Sequence, residues 1–195
     1  ESYKRGEIHG EILTLQELLD LNLLLSSDNN QKPSKLLLEI KYYKFPKKES
    51  DGYGKLLKYI KNITDILEKY KGIYAIHSSN PLVLKAIKAW KHSVLVGQIV
   101  FDGSKEATLS KKTRKIQNKG KWKDIIKVDF VSCRIGDESE LAVFTYAYKH
   151  NIPVIGWVAK VKENETDEEI RNRLQLPFDS LIIEKTMSDN ITDTI

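Results

Sequence analysis

Short apolar runs alternate along this chain with longer stretches in which apolar residues recur every three or four positions. That alternation of two periods constrains the fold more than any other feature. The segments "KLLLEI", "GIYAIHS", "SVLVGQIVF", "KVDFVSC", "IPVIGWVAK" and "DSLIIEK" read as strands. Their apolar residues run together instead of alternating with polar ones. Strands of that kind are covered on both faces, as in a parallel sheet. Helical patterns lie between them. "TLQELLDLNLL" starts on Thr14 with Glu17 in capping-box position, and Leu15, Leu18, Leu19 and Leu23 form its stripe. "GKLLKYIKNITDILEKY" places Leu56, Ile60, Ile63, Leu67 and Tyr70 on one face. In "SNPLVLKAIKAW", Asn80 is the cap and Pro81 takes the first helical position, where a missing N–H costs nothing. "DESELAVFTYAYKH" and "ETDEEIRNRL" carry acids in their first turns, where the helix dipole favours them. The order is αβαβαβ, a basic insert, then βαβαβ. Helices joining successive parallel strands make right-handed crossovers. Two architectures remain, an open doubly wound sheet and a barrel. The chain has no glycine-rich strand-to-helix turn of the phosphate-cradling kind, which weighs against a nucleotide-binding open sheet.

The 195 residues suit a single domain, 1–195, with a polar tail from 186 to 195 expected to fray. At 41% hydrophobic residues, the chain can bury a sizeable core. No apolar run approaches the roughly 20 residues of a membrane span, and no signal-peptide pattern opens the chain. It begins on Glu1 instead of Met, so the natural start is expected to be missing. The single cysteine, Cys133, excludes an internal disulfide and a cysteine metal site, and reads as a core residue. A reducing, cytoplasmic compartment is the expectation. Asn62, Asn164 and Asn190 begin Asn-x-Thr triplets that chance explains in an Asn-rich chain. The net charge of +5 concentrates in Lys111 to Lys123, a run that includes Trp122. A run of this type can bind nucleic-acid or lipid phosphates. A solvated surface insertion is the favoured reading, and nucleic-acid binding rests on charge alone.

In both architectures, function collects at the C-terminal ends of parallel strands. Those ends offer Glu39 and Lys41, then His77, Ser78 and Ser79, then Gln98, Ser132 and Arg134, Gly156 and Trp157, and Glu184 and Lys185. Glu39 and Lys41 are two apart and so share a face of a strand. A buried carboxylate must be paired, hydrogen-bonded or on a metal. A carboxylate suits a hard cation such as Mg²⁺ or Ca²⁺, and an ammonium beside it suits a phosphate oxygen. Together they outline a metal-assisted phosphoryl site. A salt bridge at a strand end is the alternative, and spacing alone favours it. His77 is a base or a structural residue, with structure favoured. His9, His92 and His150 are expected at the surface. Ser78 and Ser79 precede an N-cap, where hydroxyls serve the backbone. The absence of Gly-x-Ser-x-Gly argues against a serine hydrolase of that type. Trp157 is a ligand wall or a core residue.

Several segments, in order, resemble the glycerophosphodiester phosphodiesterases, a TIM-barrel family. "ILTLQELLDL" is similar to the family's "iPTLeEvL", and "LLLEIK" to its "l-l-E-i-K" strand. "IHSSNPLVLKAIKAW" resembles "S-F-n-P-l-v-L", with Ser79 then Asn80 and no Phe. "VGQIV", "VDFVS", "YKHNIPVIGWVAK" and "FDSLIIEK" resemble the segments that follow, so the likeness runs from about residue 10 to 185. The resemblance implies cleavage of glycerophosphodiesters to an alcohol and glycerol 3-phosphate with a divalent cation, Mg²⁺ or Ca²⁺. It implies Glu39 as a metal ligand, Lys41 as the catalytic lysine near the phosphate, and Trp157 and Ser79 as substrate-binding residues. The family's opening His-Arg-Gly, its Glu-x-Asp and its His-Asp have no counterparts here. "RGEIHG" lies too close to the first helix to be the opening strand, and Val158 stands where the family has Thr after Trp. The likeness therefore covers the later two thirds of a barrel, about six strands where a closed barrel has eight. The histidines act as general acid and base in the family. Without them this chain alone is expected to show negligible turnover. The other reading is a degenerate barrel that binds a ligand or a protein without cleaving anything. Open edges imply a missing N-terminal segment, a second chain, or dimerisation.

Overall fold

All six expected strands pair in chain order as one parallel sheet. The computed structural model describes residues 12–29, 31–42, 52–101, 120–136, 140–161, 166, 168–169, 172 and 178–185. The strands are β1 (Leu36–Glu39), β2 (Tyr74–Ser78), β3 (Val96–Val100), β4 (Phe130–Arg134), β5 (Val154–Val161) and β6 (Ser180–Lys185). The helices are α1 (Leu15–Asp28), α2 (Tyr53–Leu67), α3 (Pro81–Trp90) and α4 (Glu140–His150), with a 3₁₀ turn at Lys121–Asp124. Sequential parallel order with right-handed crossovers puts every connecting helix on the same side. The sheet therefore curls into a half-barrel, helices outside and a concave face inside.

The helix signals act as their chemistry requires. Thr14 Oγ1 accepts from Glu17 N at 3.3 Å, and Glu17 Oε2 accepts from Thr14 N at 2.7 Å. Asn80 Oδ1 accepts from Leu82 N at 3.0 Å, and Pro81 opens α3. A second capping box joins Thr166 and Glu169, with Oε2 accepting from Thr166 N at 2.8 Å, at the start of the expected acidic helix. Most of that helix lies outside the described residues, as do His9, "RGEIHG", Lys111 to Asn118 and the 186–195 tail.

The main core fills the space between helices and sheet. Leu56, Ile60 and Leu67 of α2, and Val83, Leu84 and Ile87 of α3, meet Ile76, Val96, Val131 and Cys133. Burying each large aliphatic side chain contributes about 1.5–3 kcal/mol. Cys133 is a core residue, as expected. Leu18 departs from the expected stripe. It is 42% exposed, because Leu15, Leu19 and Leu23 make the contact with the core. Trp122 is 1% exposed and packs edge-on against Tyr146, with ring centroids 4.9 Å apart. Core packing, not a nucleic-acid surface, is thus its role.

Two aspartates secure the N-terminal edge of the sheet. Asp129 Oδ2 accepts from Val96 N at 2.8 Å and pairs with Lys88 Nζ at 2.8 Å. Asp179 Oδ2 accepts from Val154 N at 2.7 Å. Each supplies a partner to a strand N–H that the ladder leaves over. These are the aspartates of "VDFVS" and "FDSLIIEK".

Candidate functional site

Alternation along each strand sorts the C-terminal residues into two faces. Leu38, Ile76, Val96, Val131, Cys133 and Val154 pack toward the helices. Their alternates, Glu39, His77, Gly97, Ile99, Ser132, Arg134 and Trp157, are therefore on the concave face. Register confirms the grouping, because Glu39 pairs with His77, His77 with Gly97, Ile99 with Ser132, and Arg134 with Trp157. Ile99 and Phe101 form a small second core on this side, with Trp157 against it. A Cβ at Gly97 would strike the Phe130 ring, so a larger residue there requires that ring to shift.

Glu39 and Lys41 lie at the rim, with Lys41 Nζ 3.5 Å from Glu39 Oε2. Their side chains are 40% and 57% exposed, so the pair is open to solvent and not confined. The alternative that spacing favoured, a strand-end ion pair, is present. The exposure also leaves both groups accessible to a ligand.

His77 is 5% exposed, and its Nδ1 has no hydrogen-bond partner. Burial pushes its pKa down to about 4, so the imidazole is neutral at pH 7. Ser132 is fully buried, and its Oγ likewise lacks a partner. Trp157 Nε1 is a third buried, unpartnered polar atom on this face. Buried polar groups are nearly always paired; these three share the concave side, while Tyr74 Oη, Gln98 Oε1 and Trp122 Nε1 are buried without a partner elsewhere. The Arg134 guanidinium carbon lies 5.1 Å from the centre of the Trp157 ring, and Phe101 meets that ring edge-on at 6.4 Å.

The "SSN" segment works differently. Ser78 is on the helix side, where its Oγ donates to Ile40 O at 2.6 Å and accepts from Asn80 N at 3.1 Å. Asn80 Nδ2 donates to Tyr42 O at 2.8 Å. These bonds fasten the end of β1, with Glu39 and Lys41, to the start of α3. Ser79 follows β2, and its carbonyl accepts from Gln98 Nε2 at 3.1 Å. His92 and His150 are exposed, as expected.

A divalent cation needs several hard donors. Among the described residues no group of three His, Cys, Asp or Glu is placed to hold one. Glu39 and His77 are register partners, and among the described residues Glu39 is paired with the Lys41 ammonium. The described residues do not by themselves fit a metal site, and no chemical step is assigned to one.

Sequence reasoning placed Glu39, Lys41 and Trp157 at strand ends but assigned no task to Ser132 or Arg134, and favoured a structural His77. The signal that gathers them on one face is the register between strands, which only the paired sheet supplies.

The fold is that of the glycerophosphodiester phosphodiesterases, in partial form. A candidate glycerophosphoryl diester phosphodiesterase from Silicibacter pomeroyi superimposes with a TM-score of 0.56 at 16% identity, covering 87% of this chain and 52% of that one. An Oleispira antarctica phosphodiesterase, solved with the product sn-glycerol-3-phosphate, gives 0.55 at 16% identity, covering 93% of this chain and 62% of its own. A candidate glycerophosphodiester phosphodiesterase from Galdieria sulphuraria gives 0.52 at 21% identity, with 93% and 70% covered. The chain thus spans between about half and about 70% of these proteins. No protein-family model and no curated protein matches the sequence. No helix among the described residues is long and apolar enough to cross a membrane.

Proposed function

We propose that this chain is a glycerophosphodiester phosphodiesterase-like domain whose concave face binds a glycerophosphodiester. Lys41 is the group set against a phosphoryl oxygen. Trp157 packs against the glycerol or alcohol portion, and Ser79 borders the site. Glu39 orients Lys41 and is the carboxylate available to a divalent cation, with further ligands coming from outside the described residues. The observation that carries this reading is the shared concave face. Glu39 and Lys41 share it with three buried, unpartnered polar atoms, on His77, Ser132 and Trp157. The product-bound Oleispira antarctica neighbour, of the same fold, supports the choice of ligand.

The chain alone is proposed to bind without turnover. No general acid and base pair is assembled among the described residues. Calorimetric titration with sn-glycerol 3-phosphate is expected to show binding that Lys41→Met weakens about tenfold or more, the size of a lost charge-assisted hydrogen bond. Equal affinity in the variant would remove Lys41 from the site. Rapid hydrolysis of glycerophosphocholine with Mg²⁺ or Ca²⁺ would refute the inactive assignment.

A further inference from the structure

Helix α1 carries two leucine stripes. Leu15, Leu19 and Leu23 pack on the core. Leu18, Leu21 and Leu25 are instead 42%, 39% and 53% exposed. At about 100° per residue, these three fall within roughly 60° of one another, on the flank beside the core stripe. Their spacing, three residues and then four, is that of a coiled-coil seam, where each leucine seats among side chains of a facing helix. Ile12 and Leu13, just before α1, are exposed as well. Large apolar side chains gathered in this way mark an interaction site. The strand that follows, β1, is an edge strand among the described residues. Leu36 N and Ile40 N donate toward β2, to Ile73 O and His77 O. The N–H groups of Leu37 and Glu39 therefore point to the open edge.

The symmetry of the stripe identifies what it fits. Consider a second α1 running antiparallel about a twofold axis between positions 21 and 22. Leu18 then lies opposite Leu25 of the second copy, and Leu21 opposite its own counterpart. The stripe is complementary to itself, as an isologous interface requires. Charge selects the same arrangement. α1 carries Glu17, Asp20 and Asp28 and no Lys, Arg or His. Parallel pairing would set each carboxylate beside its own copy. Antiparallel pairing sets Glu17 opposite Ser26, Asp20 opposite Leu23 and Asp28 opposite Leu15, and it opposes the two helix dipoles. We propose that Leu18, Leu21 and Leu25 form a homodimer interface, with α1 packed antiparallel on the α1 of a second copy. The inference is independent of the phosphodiester reading.

The test is sedimentation velocity on the full chain in reducing buffer, followed by cysteine cross-linking. One helix pair buries less than the roughly 1,600 Å² of a standard interface, so a dissociation constant of about 10–100 μM is expected. Leu21→Glu should weaken the dimer about tenfold or more. Its melting temperature should hold, because the side chain is partly exposed. Leu141→Glu, at an 80% exposed position on α4, should dimerise as wild type does. Across the proposed axis the two copies of residue 21 are offset by about 1.5 Å along the helices, and those of residue 18 by about 10 Å. A disulfide spans at most about 7 Å between Cα atoms. Leu21→Cys should therefore cross-link to itself under mild oxidation and Leu18→Cys should not, while a mixture of Leu18→Cys and Leu25→Cys should. The native Cys133 is buried and stays silent. A chain that remains monomeric up to several times that concentration would overturn the proposal. So would a dimer indifferent to Leu21→Glu, equal weakening by Leu141→Glu, or Leu18→Cys cross-linking to itself as readily as Leu21→Cys.

Discussion

His77 makes the stability of this fold depend on pH in a calculable way. The unfolded side chain titrates near 6.5, and burial lowers the folded value to about 4. Glu39 is its register partner, but no compensating charge offsets the desolvation. Between these two values the unfolded chain binds a proton that the folded chain refuses. Stability is therefore fully retained above pH 6.5, declines as pH falls through the window, and has lost the whole contribution near pH 4. Between pH 7.5 and 4.5 the linkage integral gives a loss of about 2.5 kcal/mol from this one group. Carboxylates titrate over part of the same range, so the informative quantity is a difference. Urea unfolding of wild type and His77→Gln, at pH 7.5 and 4.5, isolates the histidine. The variant should be spared about 2–3 kcal/mol of the acid loss. Parallel losses in the two proteins would refute the argument, as would an imidazole titrating near 6.5 by NMR in the folded state.

Other substitutions test the scaffold around the site. Asn80→Ala removes the α3 cap and the bond to Tyr42 O, and should cost about 1–2 kcal/mol in urea unfolding. Gly97→Ala drives a methyl group into the Phe130 ring on the concave face, with an expected loss of about 1–3 kcal/mol and a lowered melting temperature. Glu39→Gln breaks a half-exposed ion pair, so stability should change by less than about 1 kcal/mol while glycerol 3-phosphate binding shifts. A large stability change with unaltered binding would make the pair structural.

The hollows elsewhere on the surface do not compete with this face chemically. One groove of 620 Å³ lies against the N-terminal end of β5, lined by Phe144, Tyr148, Pro153 and Asp179 among others. Another, of 770 Å³, runs along α4 past Lys123, Tyr146 and His150. The first is at the end of the strands opposite Glu39, Lys41 and Trp157. In the second, Lys123 lies 4.6 Å over the Tyr146 ring and already has a partner.

Much of the architecture was legible in the chain. Uninterrupted apolar runs such as "VLVGQIV" announced strands covered on both sides, and Thr14, Glu17, Asn80 and Pro81 announced helix starts, because capping chemistry is local. The likeness of "LLLEIK" and "IPVIGWV" to one family, in family order, anticipated the fold that superposition shows. Exposure was not legible, since it depends on what packs alongside. Leu18 belongs to the helical stripe yet faces solvent, and Trp122 belongs to a basic run yet lies in the core. The Glu39 and Lys41 pair was visible from spacing, but its openness follows from the curvature of the sheet.

Local sequence determined where strands and helices begin, which strands are parallel, and which residues reach the strand ends. Tertiary structure decided which of those residues meet. The face a strand residue occupies depends on register between segments far apart in the chain, and periodicity within one segment carries no information about its neighbour. That register sets His77 beside Glu39 and Arg134 beside Trp157, and leaves buried polar atoms on the concave side without partners.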